Sequence, residues 1–175
     1  MVVFVPVRVA PHRTIHQDPG PEVRFTMCEH ATSADGRFAV SRIEIDRDGP
    51  SYTVDTLREL RRTRPDDELF LILGGDQAAA LPQWHEAAEV LSLATVAVAE
   101  RGEDHRRELV ESRIASVREG VPVAFFDMPR IDVSSTLIRS RAASGKPIRY
   151  LVPDKVANYI GAQSLYGAAA PAGVA

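Results

Sequence analysis

The run Ile131-Asp132-Val133-Ser134-Ser135-Thr136-Leu137-Ile138-Arg139 places three hydroxyl residues in a row, with an arginine one helical turn beyond. A helix starting there would expose unpaired backbone N–H groups and a partial positive charge, which together attract anions. The hydroxyls can donate further hydrogen bonds, and Arg139 supplies a planar cation suited to phosphate. The same stretch also fits an ordinary N-cap followed by an amphipathic helix. Elsewhere, Gly74-Gly75-Asp76 puts flexible backbone beside a carboxylate, and Pro11-His12-Arg13 puts two basic side chains in a loop.

These groups need a scaffold. A chain of 175 residues can bury a real core in one domain. With 45% hydrophobic and 26% charged residues it falls in the ordinary globular class. The net charge of -3 gives no case for nucleic acid as the main partner, so any phosphate site must be local. No apolar run reaches the length of a membrane span, and Met1-Val2-Val3-Phe4-Val5 has neither a basic leader nor a small-residue cleavage site. The one cysteine, Cys28, lies in no CxxC pair and reads as buried filler, fitting a reducing cytoplasm. No His/Cys cluster has zinc spacing, so no protein-held metal site is expected.

Short apolar runs alternate with helical patterns, the signature of a parallel α/β sheet. Strands are expected at Val2–Val5, Leu69–Leu73, Thr95–Ala99 and Val121–Phe126, each apolar enough to have both faces covered. A further extended piece runs from Phe38 to Ile45, with its alternation broken at Ser41–Arg42. Helices are expected at Pro21–Ala31, Thr53–Arg64, Asp76–Leu81, Trp84–Leu93, Asp104–Glu119, Thr136–Ala143 and Asp154–Ile160. On the second of these, Val54, Leu57 and Leu60 face inward, while Arg58, Arg61 and Arg62 form a solvated face. The Ala-Pro-Gly tail, residues 167–175, reads as disordered, leaving 1–166 as the folded domain. Ligands of open parallel sheets bind at the carboxyl ends of the strands, where Pro11-His12-Arg13, Gly74-Gly75-Asp76 and Glu100-Arg101-Gly102 would gather.

The pieces together resemble bacterial nicotinate-nucleotide adenylyltransferase, in the nucleotidylyltransferase superfamily. The resemblance rests on Val2-Val3-Phe4-Val5-Pro6 with Pro11-His12-Arg13, on Arg47-Asp48-Gly49-Pro50-Ser51-Tyr52-Thr53 with Asp55-Thr56-Leu57, and on Gly74-Gly75-Asp76 and Trp84. It continues through Val133-Ser134-Ser135-Thr136-Leu137-Ile138-Arg139 and Tyr150-Leu151-Val152-Pro153, in family order, covering residues 2 to about 166. It implies a Rossmann-like parallel sheet flanked by helices and a reaction joining ATP to nicotinate mononucleotide, with release of pyrophosphate. By the same resemblance Ser134, Ser135, Thr136 and Arg139 hold the ATP phosphates, with Gly74 and Asp76 also on the nucleotide. His12 and Arg13 close over the triphosphate, so that His12, Arg13 and Arg139 carry the catalytic role. Trp84 stacks on the pyridine ring, and Tyr52 and Thr53 belong to the loop reading the ring carboxylate. Mg²⁺ arrives with ATP, and the protein is expected in the cytoplasm, with homo-oligomerisation left open.

Without the resemblance, each residue has a plainer reading. Gly74-Gly75-Asp76 makes a tight strand-to-helix turn with an N-cap, Trp84 packs at a helix start, Tyr52 and Thr53 are turn and cap, and His85 is a surface histidine. The chain also departs from the family. Members begin with a strand and a glycine-rich loop carrying His-x-Gly-His, followed by a helix, before the strand seen here at Val2. Met1 therefore reads as an internal start in a longer protein. A non-catalytic paralogue binding a nucleotide or partner, and a transferase acting on nicotinamide mononucleotide or phosphopantetheine, are the alternatives.

Overall fold

A computed structural model of the chain describes residues 1–11, 18–101 and 106–167. His12 and Arg13 therefore lie outside the described residues, as does nearly all of the tail. The described chain divides into two compact units, one formed by residues 1–51 and 132–175, the other by 52–131. Both are built from parallel strands with helices between them, an α/β arrangement of Rossmann type.

The first unit pairs β1 (Val2–Phe4) with β2 (Phe38–Val40) through α1 (Pro21–Thr32). The second strand is shorter than its alternating pattern suggests. Ser41 N–H still donates to Phe4 O at 2.9 Å, but Arg42 then turns away to a bidentate pair with Glu22 on α1, at 2.8 and 2.7 Å. Arg42 also pairs with Asp46, so charge pairing ends the strand at the break in phase. The unit closes with α6 (Ser135–Ala143) and α7 (Asp154–Ala162), whose Ile138, Ala142, Val156 and Ile160 join Ile148 in one apolar cluster. Cys28 on α1 is half-buried, and burial pushes its thiol above the ordinary range, as expected of packing rather than of a nucleophile.

The second unit carries α2 (Thr53–Thr63), β3 (Phe70–Gly74), α3 (Gly75–Ala80), α4 (Ala87–Leu93), β4 (Thr95–Arg101), α5 (Arg107–Ala115) and β5 (Val123–Met128). Its sheet order is β3-β4-β5, all parallel, with Leu71 opposite Val96 and Val98 opposite Phe125. One face is closed: Val96 and Val98 pack with Ala78, Leu81, Leu91, Val110 and Ile114. A second cluster joins Val54 and Leu57 of α2 to Val90 of α4 and Ala94. The other face is not fully covered, contrary to the expectation from apolar runs. Phe70 and Ile72 are each 51% exposed and Phe126 40%. A run of apolar residues reports what a strand prefers against its faces, and the faces of one strand need not be buried equally. Among the described residues no helix is long and apolar enough to cross a membrane.

Candidate active site

The hydroxyl run does begin a helix. Ser134 is the N-cap of α6, and its Oγ accepts from Leu137 N–H at 3.1 Å, so the side chain satisfies one of the four unpaired donors. Ile138 N–H begins the regular ladder by donating to Ser134 O at 3.0 Å. The N–H groups of Ser135 and Thr136, in the first turn, have no intrahelical acceptor. Ser134, Ser135 and Thr136 are all exposed, with Arg139 half-buried behind them, and Arg139 Nη2 donates to Thr136 Oγ1 at 3.4 Å. Two amides without an intrahelical acceptor, hydroxyls and a guanidinium on one helix end make a mouth able to receive a phosphate. Replacing Ser134 with alanine should lower unfolding stability by about 1 kcal/mol, read by urea denaturation, because a lost cap leaves Leu137 N–H unpaired.

In the second unit, Gly74-Gly75-Asp76 stands at the carboxyl end of β3, where it turns into α3. Neither glycine has a positive φ, so the turn geometry itself does not demand glycine. A Cβ added at Gly74 would meet nothing within 4 Å, and one at Gly75 would make an ordinary 3.7 Å contact with Arg106 Cδ. A cleft of 290 Å³ opens there, lined by Gly74, Gly75, Asp76, Gln77, Glu100 and Arg106 over an apolar floor that includes Val98 and Phe125. The helix N-cap is Gly74, not Asp76. The Asp76 carboxylate instead projects with 81% of its side chain exposed and accepts from Arg106 Nη1. Sequence reasoning missed Arg106, although a basic residue soon after β4 was a legible hint.

Trp84 does not open a helix. It ends a short 3₁₀ turn, Leu81–Gln83, donating its N–H to Leu81 O at 2.9 Å, and α4 begins three residues later. The interruption is Glu86, held left-handed at φ 50°, ψ 47°. Trp84 is half-buried, a stacking surface partly open to solvent. His85, expected as a surface histidine, stacks on Tyr52 with ring centroids 4.3 Å apart, and its Nε2 lies 3.0 Å from Glu86 Oε1, which can only accept. Tyr52 is the N-cap of α2 and makes no side-chain cap bond, so its ring is committed to His85 and not to capping; Thr53 is the first helical residue.

The arginine face of α2 is not simply solvated. Arg58 donates to Asp55 at 3.0 Å, to Glu86 at 2.5 Å and to Glu89. Hydrogen bonding from this guanidinium holds the Glu89 carboxyl below its ordinary value. Arg61 donates to Leu93 O at 3.0 Å, and only Arg62, paired with Glu59 one turn back, matches the expected exposed face. Among the described residues no group of three His, Cys, Asp or Glu side chains could hold a metal ion.

The cytidylyltransferase-like family matches residues 1–141 of this chain. A protein of Geobacillus thermodenitrificans named as a probable nicotinate-nucleotide adenylyltransferase is 40% identical over 166 residues, spanning 94% of this chain and 71% of its own length. The corresponding protein of Kineococcus radiotolerans is 42% identical over 172 residues, spanning 95% of this chain and 77% of its own length. The chain belongs to the nicotinate-nucleotide adenylyltransferase family. Its fold also matches that of the Plasmodium falciparum nicotinic acid mononucleotide adenylyltransferase solved with NaAD, at a TM-score of 0.73 and 16% identity, over 95% of this chain and 82% of that one. The same enzyme complexed with APC gives a TM-score of 0.72.

Proposed function

We infer that this chain transfers the adenylyl group of ATP to nicotinate mononucleotide, giving nicotinate adenine dinucleotide and pyrophosphate. A phosphate oxygen of the mononucleotide forms the new bond to the α-phosphorus, and the bond from that phosphorus to the bridging oxygen breaks as pyrophosphate leaves. Two anions must be brought together, so the protein's work is positioning and neutralising charge, with no covalent intermediate. Family identity across nearly the whole chain carries this reading.

In our assignment the mouth of α6 receives phosphate oxygens. The amides of Ser135 and Thr136 and the hydroxyls of Ser134, Ser135 and Thr136 donate to them, and Arg139 offsets the charge growing on the leaving group. His12 and Arg13 are assigned to the same triphosphate. Gly74 gives the nucleotide close access to backbone, and the exposed Asp76 carboxylate accepts from ribose hydroxyls. Trp84 stacks on the pyridine ring. The start of α2, at Tyr52 and Thr53, offers donors to the ring carboxylate, which only accepts hydrogen bonds. Magnesium accompanies the ATP phosphates, with few direct protein ligands. A cytoplasmic place of action fits two highly charged substrates that do not cross membranes unaided.

The test is pyrophosphate release by the 175-residue chain, with ATP and either nicotinate or nicotinamide mononucleotide as acceptor. Turnover is expected with the acid and at least tenfold less with the amide, since an amide directs N–H groups at donors placed for a carboxylate. Preference for the amide would overturn the acceptor assignment, and pyrophosphate release with neither would overturn the reaction.

A further inference from the structure

Arg58 lies on the face of α2 that the amphipathic pattern gives to solvent, yet its guanidinium pairs with three carboxylates near the proposed pyridine end. Its Nη1 donates to Asp55 Oδ1 on the same helix at 3.0 Å. Its Nη2 donates to Glu86 Oε2 at 2.5 Å, and its Nε to Glu89 Oε1 at 2.8 Å. Glu86 and Glu89 are 28 and 31 residues away, so the guanidinium spans from the first turns of α2 to the segment that follows Trp84. That segment has an unusual backbone. Glu86 is a long, non-glycine residue in left-handed conformation, which persists only where surrounding contacts hold it. Its carboxylate is bound from both sides, by Arg58 and by His85 at 3.0 Å. His85 in turn stacks on Tyr52, the residue that begins α2.

The contacts close a ring: Tyr52 to His85, His85 to Glu86, Glu86 to Arg58, and Arg58 back along α2 to Asp55. We propose that Arg58 is a positioning residue for the acceptor nucleotide, its guanidinium fixing the left-handed Glu86 and thereby the placement of Trp84 and His85 against Tyr52 and Thr53. This rests on the assignment of the pyridine ring to Trp84, Tyr52 and Thr53. Arg58 touches no substrate. A stacking platform displaced by about 1 Å loses much of its effect, so the clamp acts through geometry and not through charge on the ligand. A planar fork satisfying three carboxylates is a role lysine cannot fully take over.

The chain holds one tryptophan, so Trp84 emission reports directly on this site. Arg58→Ala, Arg58→Lys, Glu86→Asn and Trp84→Ala are compared with Arg62→Ala, whose arginine pairs with Glu59 on its own helix and is 72% exposed. Asparagine tolerates left-handed backbone, so Glu86→Asn removes the charge without straining the chain. Nicotinate mononucleotide is titrated against Trp84 emission, or by calorimetry for Trp84→Ala. KM values for both substrates and melting temperatures are measured in parallel. Arg58→Ala and Glu86→Asn should weaken the mononucleotide about tenfold, with KM for ATP and kcat changed less than twofold. Arg58→Lys should fall between, and Arg62→Ala should match the parent.

A lower melting temperature with unchanged mononucleotide affinity would make Arg58 a packing residue and overturn the proposal. Should Arg58→Ala fail to fold, unchanged affinity in Arg58→Lys and Glu86→Asn overturns it equally. If Trp84→Ala leaves affinity untouched, the pyridine assignment itself fails. If Trp84→Ala weakens binding while the Arg58 and Glu86 variants do not, only the positioning role is lost.

Discussion

Replacing Arg139 with alanine is expected to lower kcat/KM for ATP about a hundredfold, while the melting temperature falls little. Removing one preorganised donor from a site that stabilises developing negative charge typically costs about 10²–10³ in rate. Arg139 is proposed for such a part: it lies one turn from the start of α6, half-buried, with its Nη2 donating to Thr136 Oγ1 at 3.4 Å. The apolar anchor of that turn is its neighbour Ile138, 8% exposed, so the helix keeps its attachment when the arginine is cut back. Arg139→Lys should restore only part of the loss, because an ammonium lacks the two-pronged fit to phosphate. Pyrophosphate release at subsaturating ATP reads the effect. A change smaller than threefold in Arg139→Ala would remove the residue from the triphosphate site.

The second large effect is expected at Trp84. Truncation to alanine should raise KM for nicotinate mononucleotide between about 10- and 100-fold, in line with about 1–3 kcal/mol for stacking a heterocycle on an aromatic side chain. Phenylalanine keeps a smaller flat surface and should recover part of the affinity. KM for ATP should stay within about twofold, since the loss is of binding to one ligand. Steady-state kinetics with each substrate varied in turn separates these outcomes. Equal rises in both KM values would point to a collapsed loop instead of a lost platform.

Legibility in the sequence followed how local each determinant was. The cap at Ser134 was readable because the acceptor and its donor, Leu137 N–H, are three residues apart. Strand β4 was readable because Val96 and Val98 are wholly buried, so the run had to be apolar. Trp84 was misplaced at a helix start for the opposite reason. Periodicity runs through Glu86 unbroken, whereas a left-handed residue there delays α4 to Ala87. Arg58 looked like one of three solvated arginines because its partners Glu86 and Glu89 lie 28 and 31 residues on, at the start of α4 and within it. Arg106 escaped notice since its pairing with Asp76 spans 30 residues.

From its sequence alone the chain can be assigned an α/β architecture and a hydroxyl-capped helix, because spacing within a turn or strand dictates those features; its family was legible only as a resemblance carried by several motifs in order. The tertiary structure decided which charges meet. It brought Arg106 to Asp76, tied Arg58 to two glutamates of another element, and laid His85 on Tyr52. Such pairings depend on how elements pack, and no period in the chain encodes them.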